Sequence, residues 1–193
     1  KKIAYKSEAE YNAAMVAVCL RKGVEVVGIT DHFRIATSQT LAEALTTAGV
    51  LVLKGFEAVS SDGVHLLCLF PGSSSTDELE RTIGSCGVTD LNAQSPQADK
   101  TCEQLLEYIP KLGGIIVAAH ACSTGGLLAT LKGQTRTRIW CSPNLLAIAL
   151  PGAIAVTPDA FRDIITNKDP AHARDRQLAV VNANDVTDPE ALS

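Results

Sequence analysis

Histidine is scarce in this chain, four residues in 193, and three of the four lie where apolar runs begin or end. Val24–Ile29 leads into Thr30-Asp31-His32, and Val50–Phe56 leads into Glu57. His65 stands near the start of Val64–Phe70, Ile115–Ala119 leads into His120, and Leu178–Ala183 leads into Asn184-Asp185. Imidazole and carboxylate without thiolate form a donor set suited to Zn, Mn or Fe. An ion held by such a set lowers the pKa of bound water and clamps phosphoryl oxygens, which is metal-assisted hydrolysis. His32, Glu57, His120 and Asp185 span more than 150 positions, so only a fold that gathers strand ends can assemble them.

Each residue also has an ordinary explanation. Asp31 can cap the segment after its strand, and His32 alone reads as a hydrogen-bonded histidine at the rim of a core. Glu57 can pair with Lys54. His120, inside Ala-Ala-His-Ala-Cys, is harder to dismiss, because a buried apolar strand that carries an imidazole must give it a partner. His172 lies in the charged stretch Asp169–Arg176 and reads as a surface residue. Cys122 reads as packing, with a thiolate ligand or nucleophile as the alternative. It is together, at four strand ends, that these residues point to function.

The elements that must position them follow from hydrophobic period. Ser7–Lys22 carries apolar residues at helical spacing, with Ser7 as N-cap and Gly23 as the stop. Further helices are expected over Ser38–Ala48, Asp77–Ser85, Thr101–Leu112 and Pro158–Thr166, and a short one within Ser123–Leu131. Six short, non-alternating apolar runs read as strands: Val24–Ile29, Val50–Phe56, Val64–Phe70, Ile115–Ala119, Leu145–Leu150 and Leu178–Ala183. Val88–Lys100 reads as a loop. Helices alternating with strands that are apolar on both faces indicate an α/β fold with mainly parallel strands. Periodicity does not separate an open sheet from a barrel, but in either the C-terminal strand ends share one chemical face.

His65 begins a strand, so it joins that face only if Glu57–His65 is a hairpin of one particular register. A two-residue Asp62-Gly63 turn would put Glu57 and His65 on opposite faces. A three-residue loop over Ser61–Gly63, with Gly63 left-handed, pairs Val59 with His65 and puts Glu57 and His65 on one face. A shared metal site requires the second geometry.

Composition sets the outer bounds. With 46% hydrophobic and 20% charged residues the chain can fill a core and is neither a disordered polymer nor a coiled coil. Aromatics are only 4%, so the core is expected to be Ala, Val, Leu and Ile. The net charge of −4 argues against nucleic-acid binding by bulk charge. The modest basic cluster Lys132, Arg136, Arg138 reads as a solvated loop, with phosphate contact as the alternative. Six cysteines without a C-x-x-C motif favour free thiols and a cytoplasmic setting. No apolar run reaches the length of a membrane span.

The pieces Val27-Gly28-Ile29-Thr30-Asp31-His32, Gly55-Phe56-Glu57, Val64-His65-Leu66-Leu67, Gly113–His120 and Asn184-Asp185, in that order, resemble the PHP domain. This is the polymerase-and-histidinol-phosphatase family of metal-dependent phosphoesterases, and the resemblance runs from Val24 to Thr187. It implies a distorted, TIM-like (β/α)7 barrel with one to three divalent ions (Zn, Mn or Fe) at the C-terminal strand ends. By resemblance His32, Glu57, His65, His120 and Asp185 are metal ligands, Glu57 bridging. Asp31 is the carboxylate that orients a ligand, and Asp31, His32, Glu57 and His120 form the catalytic group. A metal-bound hydroxide would then attack phosphorus in line.

Two departures stand out. The family's first strand ends in His-x-His, a motif absent here, so residues 1–193 are expected to be one PHP-like domain lacking its first strand, cut at the N-terminus, with the C-terminus a second candidate for truncation. The family's closing Asp-x-His reads Asp185-Val186-Thr187, and a Thr187 hydroxyl cannot replace imidazole as a strong ligand. The wording Gly-Ile-Thr-Asp-His-Phe-x-Ile also resembles PHP modules fused to large ATPases. No phosphate-binding Walker loop occurs in the chain, so an ATPase domain or partner would lie outside it. The expected substrate is a phosphorylated small molecule or nucleic acid. A degenerate PHP module that binds or scaffolds without catalysis is the alternative, and an amidohydrolase-type barrel acting on C–N bonds is a third class.

Overall fold

The structure, a computed structural model, describes residues 5–88, 96–183 and 188–192. Helix α1 (Glu8–Lys22) starts where the Ser7 hydroxyl accepts the Glu10 N–H and stops at Gly23, whose φ of 66° is left-handed. Strand β1 (Val26–His32) leads to α2 (Gln39–Thr47), then to β2 (Leu51–Val59) and β3 (His65–Phe70). Helices α3 (Thr76–Ser85) and α4 (Cys102–Lys111) both begin in capping boxes, Ser75 with Glu78 and Thr101 with Gln104. Then come β4 (Ile115–Ala118), α5 (Leu127–Thr130), α6 (Gly133–Trp140), β5 (Leu145–Leu150), α7 (Asp159–Ile165) and β6 (Ala179–Asn182).

The six strands form one sheet in chain order, curled into an α/β half-barrel. The expectation of mainly parallel strands needs one correction. β1 and β2 are parallel, as are β4, β5 and β6, but β3 runs antiparallel to both of its neighbours. A hairpin of five residues between β2 and β3 leaves no room for a crossover helix, so the chain must reverse.

Helices cover the convex face. Met15, Cys19, Ala42, Leu45, Val50 and Val52 seal α1 and α2 against the first two strands. A larger cluster centred on Phe56, Leu66, Cys68, Leu105, Ile116 and Ile148 seals the rest. The concave face is lined by Leu69, Val117, Ala147 and Ala149, with Leu53 and Leu67 beside them. The curl is tight enough that a Cβ on Gly28 would stand 3.1 Å from Leu69 Cδ2, two strands away.

Polarity hid two features. Strand β1 continues three residues past the apolar run, because backbone pairing with β2 runs on through Thr30↔Gly55, Asp31↔Phe56 and His32↔Glu57. The basic segment is not a loop: Gly133–Trp140 is helix α6, of which only Ile139 and Trp140 are buried. Its arginines bond within the chain, Arg138 to Glu103 at 2.8 Å on the surface and Arg136 to the Leu128 carbonyl at 3.2 Å. His172 is likewise buried, 6% exposed, between Asp169 and the Thr137 hydroxyl. Residues 89–95 of the expected Val88–Lys100 loop lie outside the described residues. Among the described residues no helix is long and apolar enough to cross a membrane.

Candidate metal centre

The centre is built on the hairpin. β2 and β3 pair with Glu57 opposite Leu67 and Val59 opposite His65, the register that puts Glu57 and His65 on one face. The loop needs Gly63 at φ +80°, and its amide donates to the Ser60 carbonyl at 2.8 Å. Ser60 is fully buried. Its hydroxyl accepts the Val64 N–H at 2.9 Å and donates to Asp62 at 2.6 Å. Asp62 in turn accepts the Cys102 N–H at 2.9 Å, tying the turn to the N-terminus of α4. A fixed hairpin therefore presents Glu57 and His65 together, with His65 Nδ1 2.6 Å from Glu57 Oε1.

His120 arrives by a different device. Strand β4 stops at Ala118, and His120 takes φ +29°, which turns its ring out of strand alternation. Its Nε2 stands 3.6 Å from the same Glu57 oxygen, an electrostatic pairing too long for a hydrogen bond. The loop that follows folds back on His65. Gly125 accepts the His65 N–H at 2.8 Å, and the Ala119 N–H donates to the His65 carbonyl at 3.1 Å. The imidazoles of His65 and His120 lie 4.9 Å apart, centre to centre.

One donor atom from each of Glu57, His65 and His120 lies within 4.8 Å of the other two. Two imidazole nitrogens and a carboxylate oxygen so close, at the end of a sheet, fit a divalent transition ion. Burial pushes the Glu57 carboxyl up, but the imidazoles of His120 and His65 against it bring it down to about 2. Glu57 is thus ionised at any physiological pH.

The structure treats the other sequence candidates differently. His32 stands opposite Glu57 in the register, and its ring centre is 6.1 Å from that of His65. It borders the cluster without entering the group of three. Burial lowers its pKa, Glu57 opposing and His65 adding to the shift. Asp31, adjacent to His32 in a strand, falls on the other face, and its carboxylate accepts the Thr37 hydroxyl at 2.5 Å. It holds the loop to α2, and among the described residues its carboxylate makes no hydrogen bond to His32, Glu57, His65 or His120. Lys54 donates to the Ser74 carbonyl, not to Glu57. Burial raises the Cys122 thiol to about 11, so it is no thiolate. Asp185 and Thr187 lie outside the described residues.

Acid should expose the cost of this arrangement. A carboxyl whose pKa is depressed in the folded state stabilises the fold above its unfolded value and loses that contribution as pH falls. For Glu57 the window runs from about pH 4.5 down to about 2, and about 3 kcal/mol is at stake. Denaturant unfolding of EDTA-treated protein should show wild type more stable than Glu57→Gln at pH 5, the two converging near pH 2. Parallel curves across that window would remove Glu57 as the group responsible.

No family model matches the chain, and no curated protein matches it by sequence. Solved structures do. The lesion-specific endonuclease PfuEndoQ from Pyrococcus furiosus superposes with a TM-score of 0.63 at 17% identity, over 96% of this chain and 46% of that one. An Endonuclease Q complex with a 27-mer duplex carrying an abasic lesion matches at 0.54 and 18% identity, over 75% of this chain and 38% of the other. A Bifidobacterium adolescentis protein inferred to be a metal-dependent phosphoesterase matches at 0.62 and 15% identity, over 93% and 83% of the two chains. The chain therefore spans less than half the length of the endonucleases it matches. At these identities the likeness is one of fold, and the fold is similar to that of PHP-domain structures.

Proposed function

We propose that this chain is a metal-dependent phosphoester hydrolase whose centre is Glu57, His65 and His120, with His32 and Asp185 completing the donor set. The observation that carries this reading is the three-donor cluster at the chemical end of a PHP-like half-barrel. We read the six strands as those of a (β/α)7 barrel without its first strand. A divalent ion at the centre would acidify water and polarise phosphoryl oxygens.

The chain's own residues divide the remaining work. Glu57, ionised at neutral pH, supplies the negative charge that offsets the ion. His65 is clamped through both backbone groups, so its ring is held in place without reorganisation. His32, whose pKa burial lowers, lies beside the cluster with its ring centre 6.1 Å from that of His65 and adds an imidazole to the donors around the ion. Asp31 fixes the loop behind it through Thr37. The ester is a phosphate mono- or diester. The endonuclease matches favour a nucleic-acid diester, and the phosphoesterase match leaves a small ester as the other substrate class.

A binding or scaffolding module without catalysis is the second reading, favoured by Thr187 where a PHP domain has histidine. Metal analysis, then hydrolysis of p-nitrophenyl phosphate and bis(p-nitrophenyl) phosphate with Mn2+, Zn2+ or Fe2+, separates the two. Turnover that EDTA and His120→Ala each abolish supports the enzyme. Stoichiometric metal without turnover of these or of DNA supports the module, and absence of metal sinks both versions of the centre.

A further inference from the structure

The tip of the hairpin that carries Glu57 and His65 is tied to a part of the chain that supplies no donor. Residues 98–102 bond to residues 59–62 at every second position. The Ala98 N–H donates to the Val59 carbonyl at 2.8 Å, the Ser61 N–H donates to the Lys100 carbonyl at 2.9 Å, and the Cys102 N–H donates to Asp62 Oδ1 at 2.9 Å. The first of these bonds falls on Val59, the residue paired with His65. Loop tips ordinarily lie free in solvent, and this one is held by a segment forty residues further along the chain.

Asp62 joins the two sides. The Oδ1 that accepts the Cys102 N–H also accepts the Ser60 hydroxyl at 2.6 Å. That hydroxyl, fully buried, accepts the Val64 N–H at 2.9 Å, so the chain of bonds ends on the residue before His65. At its other end Cys102 opens helix α4, whose first-turn N–H groups lack partners within the helix and favour a carboxylate. β3 pairs with β4 only from Leu66 onward, so His65 stands at the end of that ladder, where order depends on local anchors. One anchor is the loop after β4, through Gly125 and Ala119. The other runs through Asp62. A donor displaced by about 1 Å is too loose for a bound ion, so the second anchor matters to the centre as well as to the turn.

We infer that Asp62 is a positioning residue of the metal centre: by tying Ser60 to the start of α4, it fixes the hairpin end that holds His65 beside Glu57. The inference rests on the metal-centre reading proposed above. Asp62 stands outside the group of three donors and acts through the hairpin backbone.

The test titrates Mn2+ calorimetrically into EDTA-treated wild type, Asp62→Ala, Asp62→Asn and Ser60→Ala, each where circular dichroism shows it folded. Asparagine keeps an oxygen that accepts both bonds, whereas alanine leaves the Cys102 N–H and the Ser60 hydroxyl without their acceptor. Affinity should fall about tenfold in Asp62→Ala and Ser60→Ala, the low end for a residue that supports a ligand. In Asp62→Asn it should stay within about threefold of wild type, the loss of charge assistance alone. Histidine-selective isotope labelling reads the imidazoles separately. In metal-free Asp62→Ala the His65 resonances should shift, while those of His172, whose partners are Asp169 and Thr137, stay in place. Equal Mn2+ affinity in wild type and Asp62→Ala overturns the inference, as does a loss in Asp62→Asn as large as in Asp62→Ala, which would make the effect one of charge. If Asp62→Ala does not fold, Ser60→Ala decides in its place. Failure of wild type to bind Mn2+ overturns the metal-centre reading instead, and the His65 resonances of the metal-free protein then decide for or against Asp62.

Discussion

Glu57→Gln should lower the affinity for Mn2+ or Zn2+ at least about a hundredfold and remove any metal-dependent hydrolysis with it. Glutamine keeps the shape of the side chain and deletes its charge. Glu57 is the hub of the cluster: one carboxylate oxygen lies 2.6 Å from His65 Nδ1 and 3.6 Å from His120 Nε2. Among the described residues it is the only carboxylate in the group, so without it two neutral imidazoles would hold a dication with nothing to offset its charge. Loss of a residue that merely orients a ligand typically costs 10- to 100-fold, which sets the floor for a ligand itself. Titration calorimetry on EDTA-treated protein measures the effect. Unchanged affinity in Glu57→Gln would place the ion elsewhere.

Gly125→Ala should separate metal binding from folding. Gly125 sits at φ +78°, and a Cβ there would stand 2.6 Å from His65 Cδ2 and 2.9 Å from its Nε2. The residue cannot retreat, because its carbonyl holds the His65 N–H. The imidazole must therefore move off Glu57, while the fold loses only the left-handed penalty of about 1–2 kcal/mol. Metal affinity should fall about 10- to 100-fold. Gly23→Ala is the matched control, equally left-handed at φ +66° with nothing within 4 Å of its Cβ. It should lose similar stability and keep full metal affinity. If both variants bind metal like wild type, the 119–126 loop does not hold His65 in place.

Much of this centre could be read before any coordinates. Strand ends gather polar residues for a reason of topology, so Thr30-Asp31-His32, Glu57 and His120 announced themselves as a set. The Glu57–His65 register stayed open between two loop geometries, and the structure has the three-residue loop with left-handed Gly63 that a shared site requires. Asp31 shows the limit of the same rule. Adjacent strand residues face opposite ways, so Asp31 stands on the face away from His32 and bonds Thr37, where motif resemblance had made it the carboxylate that orients a ligand. Gly125 carried no signal of its own, because its role depends on a φ angle and contacts fixed by distant parts of the chain. Helix α6 was missed because a helix with one buried edge shows too few apolar residues to reveal a period.

The reversed strand β3 has a consequence for how the centre assembles in time. Because it runs against its neighbours, two of the three donors are eight residues apart along the chain and need only a short loop to meet. Closing that loop is entropically cheap compared with bringing in His120 across more than fifty residues. A short loop closure is thus enough to bring these two donors together, whereas His120 needs the longer one. An ion captured at that stage would recruit the third imidazole and favour the native register of the strands around it.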